Sequence, residues 1–150
     1  MSEQNKAIER RLLDEVYSQG NLDVIDELVA SDFVGHGTAA DGGDQGREAY
    51  KHFVVEMRTA FPDLQITVED QIAEGDKVVT RWRARGTHTG TFQGIPPTGR
   101  SGEMSGTTID RIADGQLIEC WANTDDLGLL QQLGVVPAPG EQAAAAPVAS

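Results

Sequence analysis

The sequence predicts an α+β domain, because its hydrophobic pattern changes once along the chain. Before residue 62, apolar residues recur at helical spacing in three segments, and from Leu64 onward they alternate with polar residues as they do in strands. The segments Glu74-Gly75-Asp76-Lys77 and Ala113-Asp114-Gly115-Gln116 lie between alternating runs and are typical of hairpin turns. Helices followed by turn-connected strands predict an antiparallel sheet with helices on one face.

Three amphipathic helices are predicted in the first part of the chain. The first has charged residues opposite its apolar side and ends at Gly20. Its apolar side consists of Ile8, Leu12, Leu13, Val16 and Tyr17. Asn21 is predicted to cap a short second helix, after which an extended segment leads to His36. A third helix follows a loop rich in Gly and Asp, and its apolar side consists of Tyr50, Phe53, Val54, Met57 and Phe61.

The rest of the chain predicts strands and one closing helix. The strands start at Leu64 and at Val78, and they end at Ile112 and at Trp121. Residues 86–99 contain several glycines and a Pro-Pro pair, so we expect a loop or a broken strand there. A short C-terminal helix is predicted from its leucines, with Asp125 or Asp126 as the N-cap; the leucines are Leu127, Leu130 and Leu133.

Length and composition predict a single globular domain. A chain of 150 residues with 39% apolar and 24% charged residues can form one core. After Gly134 the composition changes, and the Pro- and Ala-rich remainder offers almost nothing that packs in a core. We therefore expect a folded domain over residues 1–136 and a disordered tail over 137–150.

Charge and cysteine content exclude several kinds of partner. The net charge of −12 and the lack of a basic stripe argue against nucleic acid. No apolar run reaches membrane-spanning length, and the first residues do not resemble a signal peptide. The single cysteine, Cys120, cannot form an intrachain disulfide, so a cytoplasmic location is the expectation. No cysteine or histidine–carboxylate cluster has metal-ligand spacing, and phosphate-loop and nucleophile-elbow motifs are missing, so we expect neither metal nor cofactor.

Four segments carry a resemblance to a known family. They are Ala60-Phe61-Pro62-Asp63-Leu64, the stretch 86–100 with its Gly94-Ile95-Pro96-Pro97-Thr98-Gly99 core, the stretch 111–121, and the stretch 125–134 with its Gly128-Leu129-Leu130-Gln131-Gln132-Leu133-Gly134 run. Together they resemble the SnoaL-like polyketide cyclases of the nuclear-transport-factor-2-like superfamily, over roughly residues 7–134. The resemblance implies a cone-shaped fold, in which three N-terminal helices and a short C-terminal helix close a curved antiparallel sheet around a pocket.

The chain departs from the family pattern at two positions. The usual cyclase acid directly follows the residue that matches Trp121, and here that residue is Ala122. The usual partner histidine lies three residues before the strand arginine, and here that residue is Thr108. The resemblance therefore implies a cyclase scaffold with altered chemistry.

Strand parity predicts which side chains face the pocket. Thr80, Trp82 and His88 share one side of their strand, and three arginines, at 81, 83 and 85, share the other. Unpaired arginines cannot line a dry pocket, so we place them on the convex face, where proteins of this superfamily commonly form homodimers. By the same parity Asp110, Thr108, Cys120, Ile118 and Ala122 face inward. The predicted substrate contacts are Thr80, Trp82, His88, Thr108, Cys120, Ala122 and, from the third helix, Met57.

Three residues are candidates for the missing acid, each with a structural alternative. Asp110 in an apolar pocket would have a raised pKa and could act as a general acid, or it could pair with a nearby arginine. Asp125 matches an aspartate that is frequent in the family, but it also suits a helix N-cap. His36, expected at the pocket mouth, can exchange a proton near neutral pH or serve as a hydrogen-bonded structural residue.

Three functions are compatible with these residues. The first is a cofactor-free cyclase or isomerase that binds a hydrophobic polyketide-like intermediate and moves a proton or folds the substrate. The second is a non-catalytic protein that binds a hydrophobic small molecule. The third is epoxide hydrolysis on the same fold, which resembles an Asp-Arg-Asp arrangement. Trp82 and Ala84 occupy the inward positions that this arrangement requires, which disfavours the third function.

Overall fold

The computed structural model describes residues 2–37, 45–137 and 140. Its helices are α1 (Ser2–Arg11), which continues into a π-helical segment (Leu12–Ser18), α2 (Asp23–Leu28), α3 (Arg47–Ala60) and α4 (Asp126–Gln132). Its strands are β1 (Val29–His36), β2 (Gln65–Glu74), β3 (Lys77–Thr87), β4 (Ser101–Ala113) and β5 (Gln116–Thr124). This architecture confirms the α+β class. Apart from Pro137 and Gly140, the predicted tail lies outside the described residues.

The five strands form one mixed sheet in the order β1-β5-β4-β3-β2. The predicted antiparallel pairing is present between β2 and β3, between β3 and β4, and between β4 and β5. β1 instead pairs with β5 in parallel, whereas the sequence predicts an antiparallel sheet. A hairpin turn forces neighbouring strands to be antiparallel, but α3 and three strands separate β1 from β5, so no turn sets their relative direction.

Alternation along β3 divides the sheet into an inner and an outer face. Thr80, Trp82 and Ala84 are buried, whereas the arginines at 81, 83 and 85 are exposed. The predicted parity of this strand is confirmed. Arg81 and Arg83 both pair with Glu69, and Arg83 also pairs with Glu103, so carboxylates of the same chain neutralise two of the three outer arginines.

A β-bulge in β5 changes the parity predicted for the last strand. Arg111 pairs with Glu119 and Ile112 pairs with Leu117, which leaves Ile118 as the extra residue. Leu117 is therefore buried on the inner face, and the inward placement predicted for Ile118 is wrong. Beyond the bulge, Cys120 and Ala122 follow the predicted parity.

The N-terminal helices differ from the prediction in two details. Glu9 does not lie with the charged residues of the exposed side, because it is buried beneath the sheet. Its position is explained by spacing, since residues four and eight positions later, Leu13 and Tyr17, belong to the predicted apolar side. The predicted cap at Asn21 is wrong, because α2 begins after Leu22, which makes no side-chain capping bond.

Two apolar clusters cover the inner face of the sheet. The first joins the π-helical segment, α2 and β1, and includes Leu12, Val16, Ile25, Val29 and Phe33. The second joins α3, β3 and α4, and includes Met57, Phe61, Trp82, Leu129 and Leu133. The cavity described below is lined by members of both clusters. In the part of the chain that the structure describes, no helix is long and apolar enough to cross a membrane.

Candidate functional site

A cavity of about 300 Å³ lies between the inner face of the sheet and the helices. Most of its wall is apolar, and both the helices and the strands contribute residues to it. The apolar lining includes Leu13, Phe33, Phe53, Met57, Leu64, Trp82, Phe92 and Leu117. Its volume and apolar wall, with a few polar groups, are typical of a small-molecule site.

Two carboxyl groups, those of Glu9 and Asp110, form the most buried polar part of this cavity. Both line the cavity, and their exposed fractions are 4% for Glu9 and 1% for Asp110. Glu9 reaches the site from α1, and Asp110 reaches it from the middle of the sheet, on β4. The inward position predicted for Asp110 is therefore present, and Glu9 is its neighbour from the opposite layer.

No basic side chain neutralises this pair. Neither Glu9 nor Asp110 forms an ion pair with a described Lys, Arg or His, and neither Asp110 oxygen accepts a hydrogen bond from a described N–H group. The alternative that Asp110 pairs with an arginine is wrong, because the adjacent Arg111 pairs with Asp76 and Glu119. Two carboxylates without a cation cannot both remain charged in an apolar site.

Burial and mutual repulsion determine the protonation of the two acids. Burial raises the pKa of Glu9 well above its ordinary value, and the negative charge of Asp110 raises it further. Burial also raises the pKa of Asp110, but hydrogen bonds from the Glu9 carboxyl and the Cys120 thiol oppose that effect. Asp110 is therefore the more acidic member, and a protonated Glu9 can donate its hydrogen to the Asp110 carboxylate.

Two tyrosines border the acid pair. Tyr17 from the π-helical segment and Tyr50 from α3 line the cavity with their rings edge to face, at a centroid distance of 6.0 Å. Burial raises the pKa of both phenols, and the charges of Glu9 and Asp110 act in the same direction. Both phenols are consequently neutral at physiological pH and can donate hydrogen bonds.

Trp82 is held in the cavity wall by two neighbours on β4. Its indole Nε1 donates a 2.8 Å hydrogen bond to Thr108 Oγ1. Gly106 pairs with Trp82 across the strands, and a Cβ atom at position 106 would lie 2.4 Å from the indole ring. Thr108 therefore has a clear role here at the position of the family histidine: it fixes the ring of Trp82.

Five of the seven predicted substrate contacts are in the cavity wall, and Thr80 and His88 are not. Met57, Trp82, Thr108, Cys120 and Ala122 all line the cavity, although their roles toward a substrate stay predictions. Thr80 does not line it: the Thr80 hydroxyl is fully buried and accepts a 3.2 Å hydrogen bond from Gln71 Nε2. Thr80 thus faces inward as predicted, but its hydroxyl is paired with Gln71 in the core.

His88 is fully buried outside the cavity lining and holds the loop between β3 and β4. The backbone N–H of Thr98 donates to His88 Nδ1 at 3.2 Å, so Nδ1 is an acceptor, and the ring stacks on Phe61. This arrangement gives His88 a structural role in shaping the loop. The substrate contact predicted for His88 has no support, because Phe61 and Phe92 surround the ring.

His36 lies on the outer face of the sheet, so its predicted place at the pocket mouth is wrong. Its ring stacks on Trp121 at a centroid distance of 5.3 Å, and its Nε2 lies 2.9 Å from Glu119 Oε2. The pairing of β1 with β5 causes this, because it aligns His36 with Trp121, whose side chain points outward. The next residue, Gly37, lines the cavity in its place.

Asp125 caps α4 and does not line the cavity. Its Oδ1 accepts a 2.9 Å hydrogen bond from the backbone N–H of Gly128, as expected of an N-cap. The adjacent Asp126 lines the cavity and accepts a 2.8 Å hydrogen bond from Thr124 Oγ1. An exposed cap is not placed to exchange a proton with a molecule in the cavity.

Sequence reasoning missed three polar residues of the site: Glu9, Tyr17 and Tyr50. Helical spacing predicts the two tyrosines on the apolar sides of their helices, and it predicts charged residues of the first helix on the opposite side. The spacing of Glu9 is the signal that identifies it: Glu9 precedes Leu13 by four residues and Tyr17 by eight, which places it on the apolar side of the helix. Among residues 2–37 and 45–137, no group of three or more His, Cys, Asp or Glu side chains is arranged to hold a metal ion.

Comparisons with known proteins agree with this fold. The sequence profile of the SnoaL-like polyketide cyclases matches residues 7–133. IdmH, a candidate polyketide cyclase from Streptomyces antibioticus, is 36% identical with a TM-score of 0.77, over 88% of this chain and 99% of its own. A candidate SnoaL-like polyketide cyclase from Jannaschia sp. CCS1 is 31% identical with a TM-score of 0.79, over 91% of this chain and 95% of its own.

A third similar structure has a different described activity. AclR, a candidate hydroxylase from Streptomyces galilaeus, is 26% identical with a TM-score of 0.80, over 99% of this chain and 92% of its own. A search of curated proteins gave no match. The profile match over most of the chain, the identity to IdmH and the shared helix-and-sheet architecture establish that this chain belongs to the SnoaL-like polyketide cyclase family.

Proposed function

We propose that this protein is a cofactor-free cyclase or isomerase that acts on a hydrophobic, polyketide-like carbonyl compound, with Asp110 as its acid/base group. The observation that carries the proposal is the buried Asp110 carboxyl on the wall of an apolar cavity, without a basic partner among the described residues. A carboxylate in such surroundings is a strong base, because water does not stabilise its charge.

The cavity supports a substrate of this class in two ways. Its volume of about 300 Å³ suits a small ring system, and its aromatic and aliphatic wall would enclose a folded apolar chain. No described Lys, Arg or His lines it, so an anionic group of a substrate would meet the charge of the acid pair without compensation. An uncharged carbonyl compound fits these conditions.

Family membership supports the reaction class. However, the acid and the histidine that the family pattern usually has are both replaced in this chain. Ala122 and Thr108 line the cavity in place of the usual acid and histidine. Asp110 lies on the same strand as Thr108 and pairs across the sheet with Cys120, two residues before Ala122. An acid at this neighbouring position can replace the missing one if the substrate lies deeper in the cavity.

A non-catalytic protein that binds a hydrophobic small molecule is the second candidate. The same apolar cavity favours it, together with the replacement of the usual acid by Ala122. Epoxide hydrolysis gains no support, since the arginines at 81, 83 and 85 are on the outer face and no described arginine lines the cavity.

The first experiment measures binding. In a Trp121→Phe background, Trp82 is the single tryptophan, so its fluorescence reports on the cavity. Titration with 2-tetralone, a neutral bicyclic ketone, should quench this fluorescence with saturation. Trp121 is on the outer face, so its replacement should not alter the cavity itself.

The second experiment separates catalysis from binding. Exchange of the acidic α-protons of 2-tetralone for deuterium in D2O is followed by NMR, with the uncatalysed rate subtracted. Asp110→Asn should lower the exchange rate by roughly a hundredfold or more while leaving the fold intact. Trp82→Ala should weaken binding and lower the rate less. Saturable binding with no exchange above background would favour the binding protein over the enzyme.

A further inference from the structure

The Asp110 carboxyl is one half of a buried pair, and the other half comes from the first helix. Glu9 and Asp110 both line the cavity, both are almost fully buried, and they interact directly. Neither Asp110 oxygen has a hydrogen-bond donor among the described N–H groups. A purely structural acid pair would be expected to lie out of reach of ligands, whereas this pair forms part of the cavity surface.

We propose that Glu9 is a second catalytic residue, and that Glu9 and Asp110 act as a pair that holds one proton between them. This inference rests on the function proposed above. In the resting pair Glu9 carries the proton and Asp110 carries the charge. Glu9 donates its proton to the carbonyl oxygen of the substrate, and Asp110 accepts a proton from the adjacent carbon.

The step balances without any further reactant. The carbon–hydrogen bond of the substrate breaks and its hydrogen moves to Asp110, while the bonding electrons form a carbon–carbon double bond. The carbonyl π electrons take the proton of Glu9, so the product is a neutral enol. The pair again holds one proton, now on Asp110. Where the substrate has a second carbon–carbon double bond next to the deprotonated carbon, this enol is a dienol. Return of the proton from Asp110 to the far carbon of the dienol, with the enol proton returning to Glu9, then shifts the double bond, completes an isomerisation and restores the resting pair.

The surroundings of the pair suit this role. The titratable groups that face it are the Cys120 thiol from β5, the Tyr17 phenol from the π-helical segment and the Tyr50 phenol from α3. All three can donate hydrogen bonds, and no described cation lies close enough to form an ion pair with either acid. They can stabilise the single negative charge as it moves between the two carboxyls.

The test uses α-proton exchange of 2-tetralone by the full-length chain and by Glu9→Gln, Asp110→Asn and Glu3→Gln. The Gln side chain keeps the size of Glu and can still donate an N–H to Asp110, but it cannot transfer a proton to a substrate. A merely positioning role of Glu9 would therefore survive this change. Glu3 is on the same helix and its side chain is exposed, so Glu3→Gln is the matched control.

We expect Glu9→Gln to lower the exchange rate by roughly a hundredfold or more and to remove the decline of the rate at alkaline pH. Asp110→Asn should remove the rise of the rate at acidic pH, and Glu3→Gln should change neither. Infrared spectroscopy at neutral pH gives a second readout: the wild type should show the stretch of a buried protonated carboxyl, and Glu9→Gln should lack it. Circular dichroism checks that each variant is folded.

The possible failures are distinguishable. If Asp110→Asn abolishes exchange but Glu9→Gln keeps the wild-type rate and pH profile, Glu9 is not catalytic and the proposed function stands. If the protonated-carboxyl band persists in Glu9→Gln, Glu9 does not hold the proton. If the wild type binds 2-tetralone without accelerating exchange, both the proposed function and the role of Glu9 are wrong.

Discussion

The indole nitrogen of Trp82 donates a 2.8 Å hydrogen bond to the hydroxyl of Thr108, and this bond joins two adjacent strands on the wall of the cavity. Thr108 occupies the position where the family pattern has a histidine. A residue at a position associated with catalysis thus fixes a large aromatic side chain. The shape of the cavity therefore depends on Thr108, although the family pattern alone shows this position only as one where the usual histidine is missing.

Thr108→Val should destabilise the protein and loosen the wall of the cavity. The change keeps the size of the side chain but leaves the buried Trp82 N–H without an acceptor, which costs about 1–3 kcal/mol of unfolding free energy. Urea unfolding measures this loss, and Trp82 fluorescence in the Trp121→Phe background should shift. Thr108→Ser keeps the hydroxyl and is the control. Equal stability of the Val and Ser variants would show that the hydrogen bond contributes little.

Gly106→Ala should displace Trp82. A methyl group at this position would lie 2.4 Å from the indole ring, which is too rigid to move aside without affecting the strand. We expect a loss of about 1–3 kcal/mol in unfolding free energy and weaker binding of 2-tetralone. Ser105→Ala, one residue earlier and on the other side of the strand, is the control. Wild-type binding by Gly106→Ala would mean that the cavity tolerates a moved indole.

The free energy of unfolding should fall as the pH rises, because the Glu9 carboxyl holds its proton more tightly in the folded state than in the unfolded state. The pKa of Glu9 is raised in the folded state, so between its ordinary value and that raised value the folded state binds more protons than the unfolded state. Rising pH therefore favours unfolding over this window. The raised pKa of Asp110 acts in the same direction. The facing Tyr17 and Tyr50 phenols keep their protons over this range, because burial raises the pKa of both.

Glu9→Gln isolates that contribution. The free energy of unfolding of the wild type minus that of Glu9→Gln should decrease as the pH rises above the ordinary pKa of a glutamate carboxyl, because the Gln side chain does not titrate. Chemical unfolding at a series of pH values measures this difference, with Glu3→Gln as control. A difference that is constant or that increases with pH would contradict the buried, protonated state of Glu9.

The outer face of the sheet should form a homodimer. Ile72, Val79, Ile109 and Trp121 are aligned across β2, β3, β4 and β5 by the strand register, and Ile72 and Ile109 are exposed. Ile109→Glu should weaken the dimer at least tenfold, or by about 1.4 kcal/mol, because a charge would be buried in each subunit. Sedimentation velocity measures the change, and Val55→Glu, at an exposed apolar position on α3, is the control. A monomeric wild type at micromolar concentration would contradict the dimer.

Local patterns in the sequence are sufficient to predict the order of elements, the hairpin turns and the two faces of β3. These features follow from local periodicity: Trp82 and the arginines at 81, 83 and 85 had to lie on opposite sides, whatever the rest of the chain did. The position of Asp110 on the inner face followed from the same alternation.

Which residues meet at the site depends on how the strands and helices pack in three dimensions. The pairing of β1 with β5 placed His36 outside, the bulge at Ile118 shifted the inward residue to Leu117, and the packing of α1 beneath the sheet brought Glu9 to Asp110. Each of these depends on contacts between segments that are far apart in the chain. Periodicity defines the face of an element but not the element that packs against it, so the partner of a buried acid emerges only when the layers are assembled.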